Sequence, residues 1–378
     1  MVKQVVLLGI GHTNAHILHQ WIDAPIPDCE LVCVTQFPQS TYSGMMPGTL
    51  GEQFERNETR IDLPRLAEAA GARLIVDETT GLDLDSRRLQ FANHGAQKFD
   101  ALSIGVGSVP LGYEPYREVP HVVPVKPMQT FLERLDQALA VTLARVNAND
   151  ASNDPPLRVM VVGGGVAGVE ISFCLRQRLL REQVRHTIQL VTAGDAIADG
   201  MKEKSVRRIE RLLLDRGIGV SKSDRVVGID GQKLRMKSGL ELFADVIVWV
   251  TGAAPPPVIA ALGLQTDDRG FIATAATLQT HSDGAIFAVG DCGTNPDVPC
   301  PKAGVYAVRQ GPVLWHNLNA VIQGSELQAF RPQQGFLKLI NTGDGKALLD
   351  YRRWTLHHRW CLKLKNHIDR DFIRRYQK

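Results

Sequence analysis

Two glycine clusters carry the chemistry that this sequence offers. Gly163-Gly164-Gly165-Val166-Ala167-Gly168 follows an apolar run at residues 158–162 and precedes a helix-forming stretch. Its spacing is G-x-G-x-x-G. The first glycine permits a tight turn, the second lets the backbone approach a pyrophosphate, and the third lets helix and strand pack closely. The helix N-terminus adds oriented N–H groups. Gly9-Ile10-Gly11-His12-Thr13-Asn14 repeats the first two glycines after the run at residues 3–8, with Asn14 where the third belongs. Both turns predict dinucleotide binding. Neither is followed, about 20 positions on, by the acid that accepts both ribose hydroxyls. The strands end at Thr35-Gln36 and at Thr192-Ala193, where a threonine can bond one hydroxyl. No arginine follows Thr192 closely, which leans the second turn towards NADH rather than NADPH.

A third element is Gly290-Asp291, at the end of the apolar run 284–289. It places one carboxylate at a sheet edge. Lys126 and Lys302 are candidates to hold negative charge near the reacting group. His12, His16 and His19 recur on one helix face. That helix must pack on a sheet and meet a pyrophosphate, so no metal site is expected. Six cysteines form no disulfide scaffold. Cys29 and Cys33 share a strand and lie ~13 Å apart at ~3.3 Å per residue.

The elements that must position these groups alternate. Strands are read at 3–8, 31–35, 99–105, 158–162, 187–192 and 246–251. Helices are read at 13–22, 61–71, 127–146, 169–180 and 202–216. The strand–glycine–helix unit occurs twice, and the alternation predicts an α/β fold with two parallel, Rossmann-like sheets. Residues 147–156 read as a linker. Strand-like runs at 336–341 and 346–356 and a basic helix at about 359–376 complete a small α+β unit.

Together the two turns and the late Gly-Asp resemble the two-dinucleotide-binding-domain flavoproteins, the pyridine nucleotide-disulfide oxidoreductase superfamily, over about residues 1–320. The resemblance implies FAD in the first turn and NAD(P)H in the second, with Asp291 against the flavin ribityl chain. It also implies four parts: an FAD domain at 1–115 and 275–325, a helical connection and linker at 116–156, an NAD(P)H domain at 157–274, and the C-terminal unit at 326–378. The expected cofactor-binding set is Gly9, Gly11, His12, Asn14, Thr35, Ser43, Gly44, Met46, Thr79, Gly105, Gly107, Gly163, Gly165, Val166, Ala167, Gly168, Glu170, Thr192, Thr251, Gly252, Gly290, Asp291, Lys302 and Ala303.

The stretch Tyr42–Gly48 lacks the superfamily's C-x4-C pair, so dithiol chemistry is not expected. The chain looks closer to type II NADH dehydrogenases. Phrases such as Tyr42–Gly48, Val125-Lys126-Pro127 and Pro301–Gly311 are also similar to the oxidoreductase domain fused in front of selenide, water dikinase. A link to selenophosphate synthetase is therefore an expectation, although no kinase domain is expected within these 378 residues. In type II NADH dehydrogenases a helix near the flavin offers two glutamines to quinone. Val305 and Arg309 occupy those positions here and Gln310 remains. Lys126, Lys302, Arg309 and Gln310 are the candidate catalytic residues, and Arg309 with Lys302 suits a small anionic acceptor. The expected activity passes hydride from NAD(P)H to FAD and on to a quinone or small soluble acceptor. The alternatives are a sulfide- or selenide-oxidising flavoprotein and a nucleotide-binding sensor without turnover.

Composition bounds the partners. The chain is 44% hydrophobic and 22% charged, which excludes disorder as its main state. No run approaches the ~18 apolar residues of a membrane span, and the N-terminal apolar stretch is too short for a signal peptide. The net charge of +3 is uneven: residues 352–378 hold nine Lys/Arg and two Asp. A basic tail with Trp360, Leu364, Ile368 and Phe372 every four residues predicts either a docked helix or a peripheral contact with an anionic membrane. The expected partners are a small-molecule electron acceptor, a second copy of the chain as a homodimer and, through the tail, the inner face of a plasma membrane. Nucleic acid is not expected. The expected compartment is cytoplasmic.

Overall fold

A computed structural model describes residues 2–148 and 155–377. Most of the expected linker, at 149–154, lies outside the described residues.

Two five-stranded sheets organise the molecule. The first runs Ile286–Ala288, Ala101–Ile104, Lys3–Leu8, Cys29–Thr35, Arg73–Val76, all parallel. The second runs Val122–Pro124, Val246–Trp249, Leu157–Val162, His186–Val191, Ile218–Ser221, again all parallel. Their strands are continuous apolar runs because helices or loops cover both faces. Val5, Val6 and Leu7 are fully buried, and so are Val246, Ile247 and Val248.

In each sheet the central strand feeds a glycine turn and then a helix: Lys3–Leu8 into His12–Asp23, and Leu157–Val162 into Val166–Arg181. The strand order reverses beside that central strand, and α/β sheets take ligands at the carboxyl ends there. The helix Met128–Ala148 and the strand Val122–Pro124 precede the second unit. The segment 116–156 is thus more than a helical connection, because its short strand forms the edge of the second sheet.

Three elements differ from the sequence expectation. The helix expected at 61–71 is Leu63–Ala69. Arg60–Asp62 instead pairs with Gln39–Thr41, and the Asp62 carboxylate caps the helix by accepting from the Arg65 N–H. The run 346–356 is a hairpin, Ala347–Tyr351 and Trp354–His358, turned at Arg352, whose φ is +47°. The C-terminal helix, Arg359–Arg374, docks on the body through only half of the stripe of every fourth residue, Leu364 and Phe372. Its buried face is Cys361, Leu362, Lys365, Asp369 and Ile373, while Trp360 and Ile368 stay exposed.

Candidate functional site

A single cleft of ≈ 1620 Å³ opens at the carboxyl ends of both sheets. A pocket for one drug-sized ligand holds roughly 300–1,000 Å³, so this space suits more than one. It gathers the whole expected cofactor-binding set except Gly168, and adds Lys126. Gly168 serves packing: a Cβ there would lie 1.9 Å from the Gly163 carbonyl oxygen. Gly9 and Gly163 take φ of +78° and +126°, which side chains resist, so both turns need these glycines. Gly165 differs. Its backbone is extended, and an added Cβ would meet no protein atom within 4 Å, only the cleft. Residues on hand thus fit a dinucleotide at both turns: a glycine cradle open to the cleft, followed by a helix N-terminus.

Asn14 explains its departure from the glycine pattern. Its amide donates to the Gly9 carbonyl at 2.8 Å and accepts from the Ser103 hydroxyl at 2.6 Å, bolting the turn to the neighbouring strand. Thr35 and Thr192 play matched parts at the two strand ends. The Thr35 hydroxyl bonds Phe37, and the Thr192 hydroxyl accepts from the Gly194 N–H.

Asp291 and Lys126 form a salt bridge of 2.8 Å, and the Ser108 hydroxyl donates to the same carboxylate oxygen at 2.7 Å. Burial pushes the Asp291 carboxyl up, but the Lys126 charge and the two hydrogen bonds outweigh it and hold it low. Lys126 therefore reaches the cleft as the partner of Asp291 rather than as a free cation. Lys302 donates to the Gly293 carbonyl and the Thr294 hydroxyl, both at 2.6 Å, and lies over the Phe271 ring. Burial lowers its ammonium, with Cys292 and Asp291 opposing.

Arg309 and Gln310 do not line the cleft. Arg309 is exposed on the helix Gly304–Gln323, so the pairing with Lys302 around a small anion does not form. Gln310 is buried, and its side-chain oxygen accepts from the Gly290 N–H at 2.6 Å. It holds the Gly-Asp turn in place and offers nothing to an acceptor. The physical reason is helix phase: the face that reaches the cleft carries Gly304 and Ala307.

Sequence reasoning named Gly44 and Glu170 at the far wall but missed the cation that joins them. The C-terminal helix buries Lys365, whose ammonium donates to the Gly44 carbonyl at 2.8 Å and to Asp369 at 3.1 Å, and lies 3.9 Å from Glu170. Tyr42 donates to the other Asp369 oxygen. Burial raises the Glu170 carboxyl, while the Lys365 charge and the Asn341 N–H oppose it. Burial works to lower Lys365, yet its two carboxylates raise it on balance. Hydropathy assigns such charges to solvent, and no spacing rule joins residue 44, 170 and 365.

His12 is half-buried, packed against Tyr42 and Phe372 at the cleft wall, and burial lowers it to about 4, so it is neutral at pH 7. His16 packs on Gly311 and His19 on Tyr376. All six cysteines are free thiols, and burial pushes Cys292 up to about 11.

The chain is similar in sequence and in fold to several known proteins. The NADH dehydrogenase-like protein YutJ of Bacillus subtilis is 23% identical over 304 residues, 79% of each chain. The demethylphylloquinone reductase NdbB of Synechocystis is 24% identical over 269 residues, 69% of this chain and 64% of that protein. Among solved structures, NDH2 from Plasmodium falciparum in complex with NADH shares the fold with a TM-score of 0.84 at 12% identity, covering 100% of this chain and 98% of that one. The sulfide:quinone oxidoreductase of Aquifex aeolicus follows with a TM-score of 0.81 at 16% identity, covering 99% and 91%. A family profile matches residues 3–318, which span both sheets and the whole lining of the cleft, and by that match the chain belongs to the pyridine nucleotide-disulphide oxidoreductase family.

Proposed function

We propose that this chain is an FAD-dependent NADH dehydrogenase-like oxidoreductase that passes electrons to a quinone or another small acceptor. The observation that carries the reading is the single cleft with a glycine cradle in each wall. When bound, the flavin supplies the hydride-accepting chemistry. The residues bind and orient. Gly9, Gly11 and Asn14 shape one cradle, Gly163 and Gly165 the other. Asp291 is held ionised by Lys126 and Ser108, so it can accept from a polyol. Gln310 fixes that turn. The names of the relatives support a quinone acceptor, and the exposed Arg309 removes the argument for an anionic one. The test is direct. Purified protein reconstituted with FAD should be yellow, and anaerobic NADH should bleach it. Alkylating the accessible thiols should change the bleaching rate by no more than a few-fold, because the six cysteines form no redox pair. Protein that takes up no FAD would sink the reading. Turnover with a soluble quinone should exceed that with sulfide or selenium compounds.

The same reading includes a peripheral membrane contact. Trp354, Trp360 and Ile368 are 58%, 44% and 43% exposed, on a segment that also carries Arg352, Arg353, Arg359 and Lys363. Among the described residues no helix is long and apolar enough to cross a membrane. Each basic residue near an anionic surface contributes ~1 kcal/mol, within a Debye length of ~8 Å at physiological salt. Co-sedimentation with phosphatidylserine-containing vesicles should therefore be strong at low salt, weaken as salt rises, and fall with Trp354→Ala plus Trp360→Ala. Equal sedimentation of wild type and double variant would remove the aromatic contribution.

A further inference from the structure

A second pocket, of ≈ 470 Å³, opens at the amino ends of the second sheet, the opposite end from the cleft. Small-molecule sites span roughly 300–1,000 Å³, so its size suits one small ligand. It lies between the last turns of the helix Val166–Arg181, the first residue of the strand His186–Val191 and the turn Arg216-Gly217 that leads into Ile218–Ser221. Ile188 and Ile218 give it an apolar, buried lining. Gly217 takes φ of +68°, and a Cβ added there would meet no protein atom within 4 Å, so the space over it is open. Arg176, Arg185 and Arg216 all line the pocket, and among the described residues no carboxylate does.

Helix ends attract cations, which accounts for arginines here but not for how they are used. The Arg216 guanidinium is spent: it pairs with Asp344 at 2.8 Å, donates to the Thr342 carbonyl and lies over the Phe173 ring. Arg176 is half-buried and uses only its Nε, which donates to the Arg216 carbonyl at 2.8 Å. Among the described residues its terminal nitrogens make no hydrogen bond and it forms no ion pair. Burial and, after it, the Arg216 charge press that guanidinium below its usual range, yet an arginine stays charged at pH 7. Glu182, in the adjoining turn, is already paired with Arg178 at 2.8 Å. We propose that this pocket binds a phosphomonoester with a small apolar body, and that Arg176 grips its phosphate. The terminal nitrogens of a guanidinium form a fork of parallel N–H donors that matches phosphate oxygens. A phosphomonoester carries about −1.5 to −2 charges at pH 7, so it answers both neighbouring cations, where a carboxylate answers one. A bare phosphate ion leaves most of the ≈ 470 Å³ unfilled, and the isoleucine lining suits an apolar body there.

The probes are phenyl phosphate and inorganic phosphate. Each is titrated by calorimetry into protein loaded with FAD and saturated with NAD⁺, so that both cradles of the cleft are filled. Phenyl phosphate should bind severalfold tighter than inorganic phosphate. Arg176→Gln should weaken it by about tenfold or more, the scale of a hydrogen bond to a charged group. Arg176→Lys should weaken it less, because the charge stays and the fork is lost. Leu180→Glu is a second arm that does not disturb the arginine's own bond. Leu180 is 45% exposed on the pocket wall, so the fold tolerates the change. A glutamate there, four residues on from Arg176, pairs with the guanidinium and competes with phosphate. Binding should fall in that variant while flavin content, melting midpoint and bleaching by NADH stay as in wild type. Phenyl phosphate that does not bind, or that binds wild type and both Arg176→Gln and Leu180→Glu alike, would overturn the proposal. Equal affinity for the two probes would overturn it as well, since a site for an adventitious ion only gains nothing from the phenyl ring.

Discussion

Replacing Gly165 by valine should slow reduction by NADH by up to about 100-fold while leaving a folded, yellow protein. The position is unusual among the turn glycines because two demands separate there. Its φ of −64° and ψ of 176° are ordinary for any residue, and an added Cβ meets no protein atom within 4 Å. The folded chain therefore tolerates the side chain. A dinucleotide does not, because the valine methyl groups occupy the space into which the cradle opens. Forcing such groups into filled space costs ~1–3 kcal/mol, so the bleaching efficiency should fall by up to about 100-fold. Flavin content should be unchanged, since Gly165 belongs to the second cradle alone. Stopped-flow bleaching beside a flavin absorbance spectrum checks both halves. Rapid bleaching in Gly165→Val would mean that the donor does not use this turn.

Lys365→Met should produce the largest loss of stability of any single replacement of an ionised side chain. Lys365 is 8% exposed, and its ammonium bridges the Gly44 carbonyl, Asp369 and, more distantly, Glu170. Removing one partner of a buried charge cluster leaves the others uncompensated, which costs ~3–5 kcal/mol. At ~2 °C per kcal/mol the melting midpoint should drop by about 6–10 °C. The pH dependence identifies the cause. Burial already raises the Glu170 carboxyl, and loss of Lys365 raises it further. A folded-state value above the unfolded one means that the folded protein binds the proton more tightly. Stability from that proton is present below the unfolded value of ~4.3 and is lost as pH rises through the folded value. The variant should therefore regain part of its deficit as pH is lowered from neutral towards that unfolded value. A deficit independent of pH would assign the loss to packing instead.

The glycine turns, their strands and their helices were legible because each is a local pattern of a few residues with a fixed period. Asp291 was legible for the same reason. Residues whose roles depend on phase or on a distant segment were not. Gln310 reads as an acceptor-side amide until the helix phase turns it towards Gly290. The stripe at Trp360, Leu364 and Ile368 reads as a docking face, since hydropathy counts Lys365 and Asp369 as solvent-seeking. The structure buries those two because they satisfy each other and the Gly44 carbonyl.

The order of strands in the first sheet has a consequence for how the chain is made. Its edge strand, Ile286–Ala288, pairs with Ala101–Ile104, and the Ser108–Asp291 contact beside it joins residues 183 positions apart. All five strands of the second sheet lie between those partners in the chain. At ~5–20 residues per second, a ribosome takes roughly 10–40 s to travel that distance. Throughout that interval Ala101–Ile104, fully apolar but for Ser103, presents an unpaired edge of the kind that invites pairing with other chains. The half of the molecule translated second can thus close its sheet first, and the half translated first waits with an open edge until the chain returns to it.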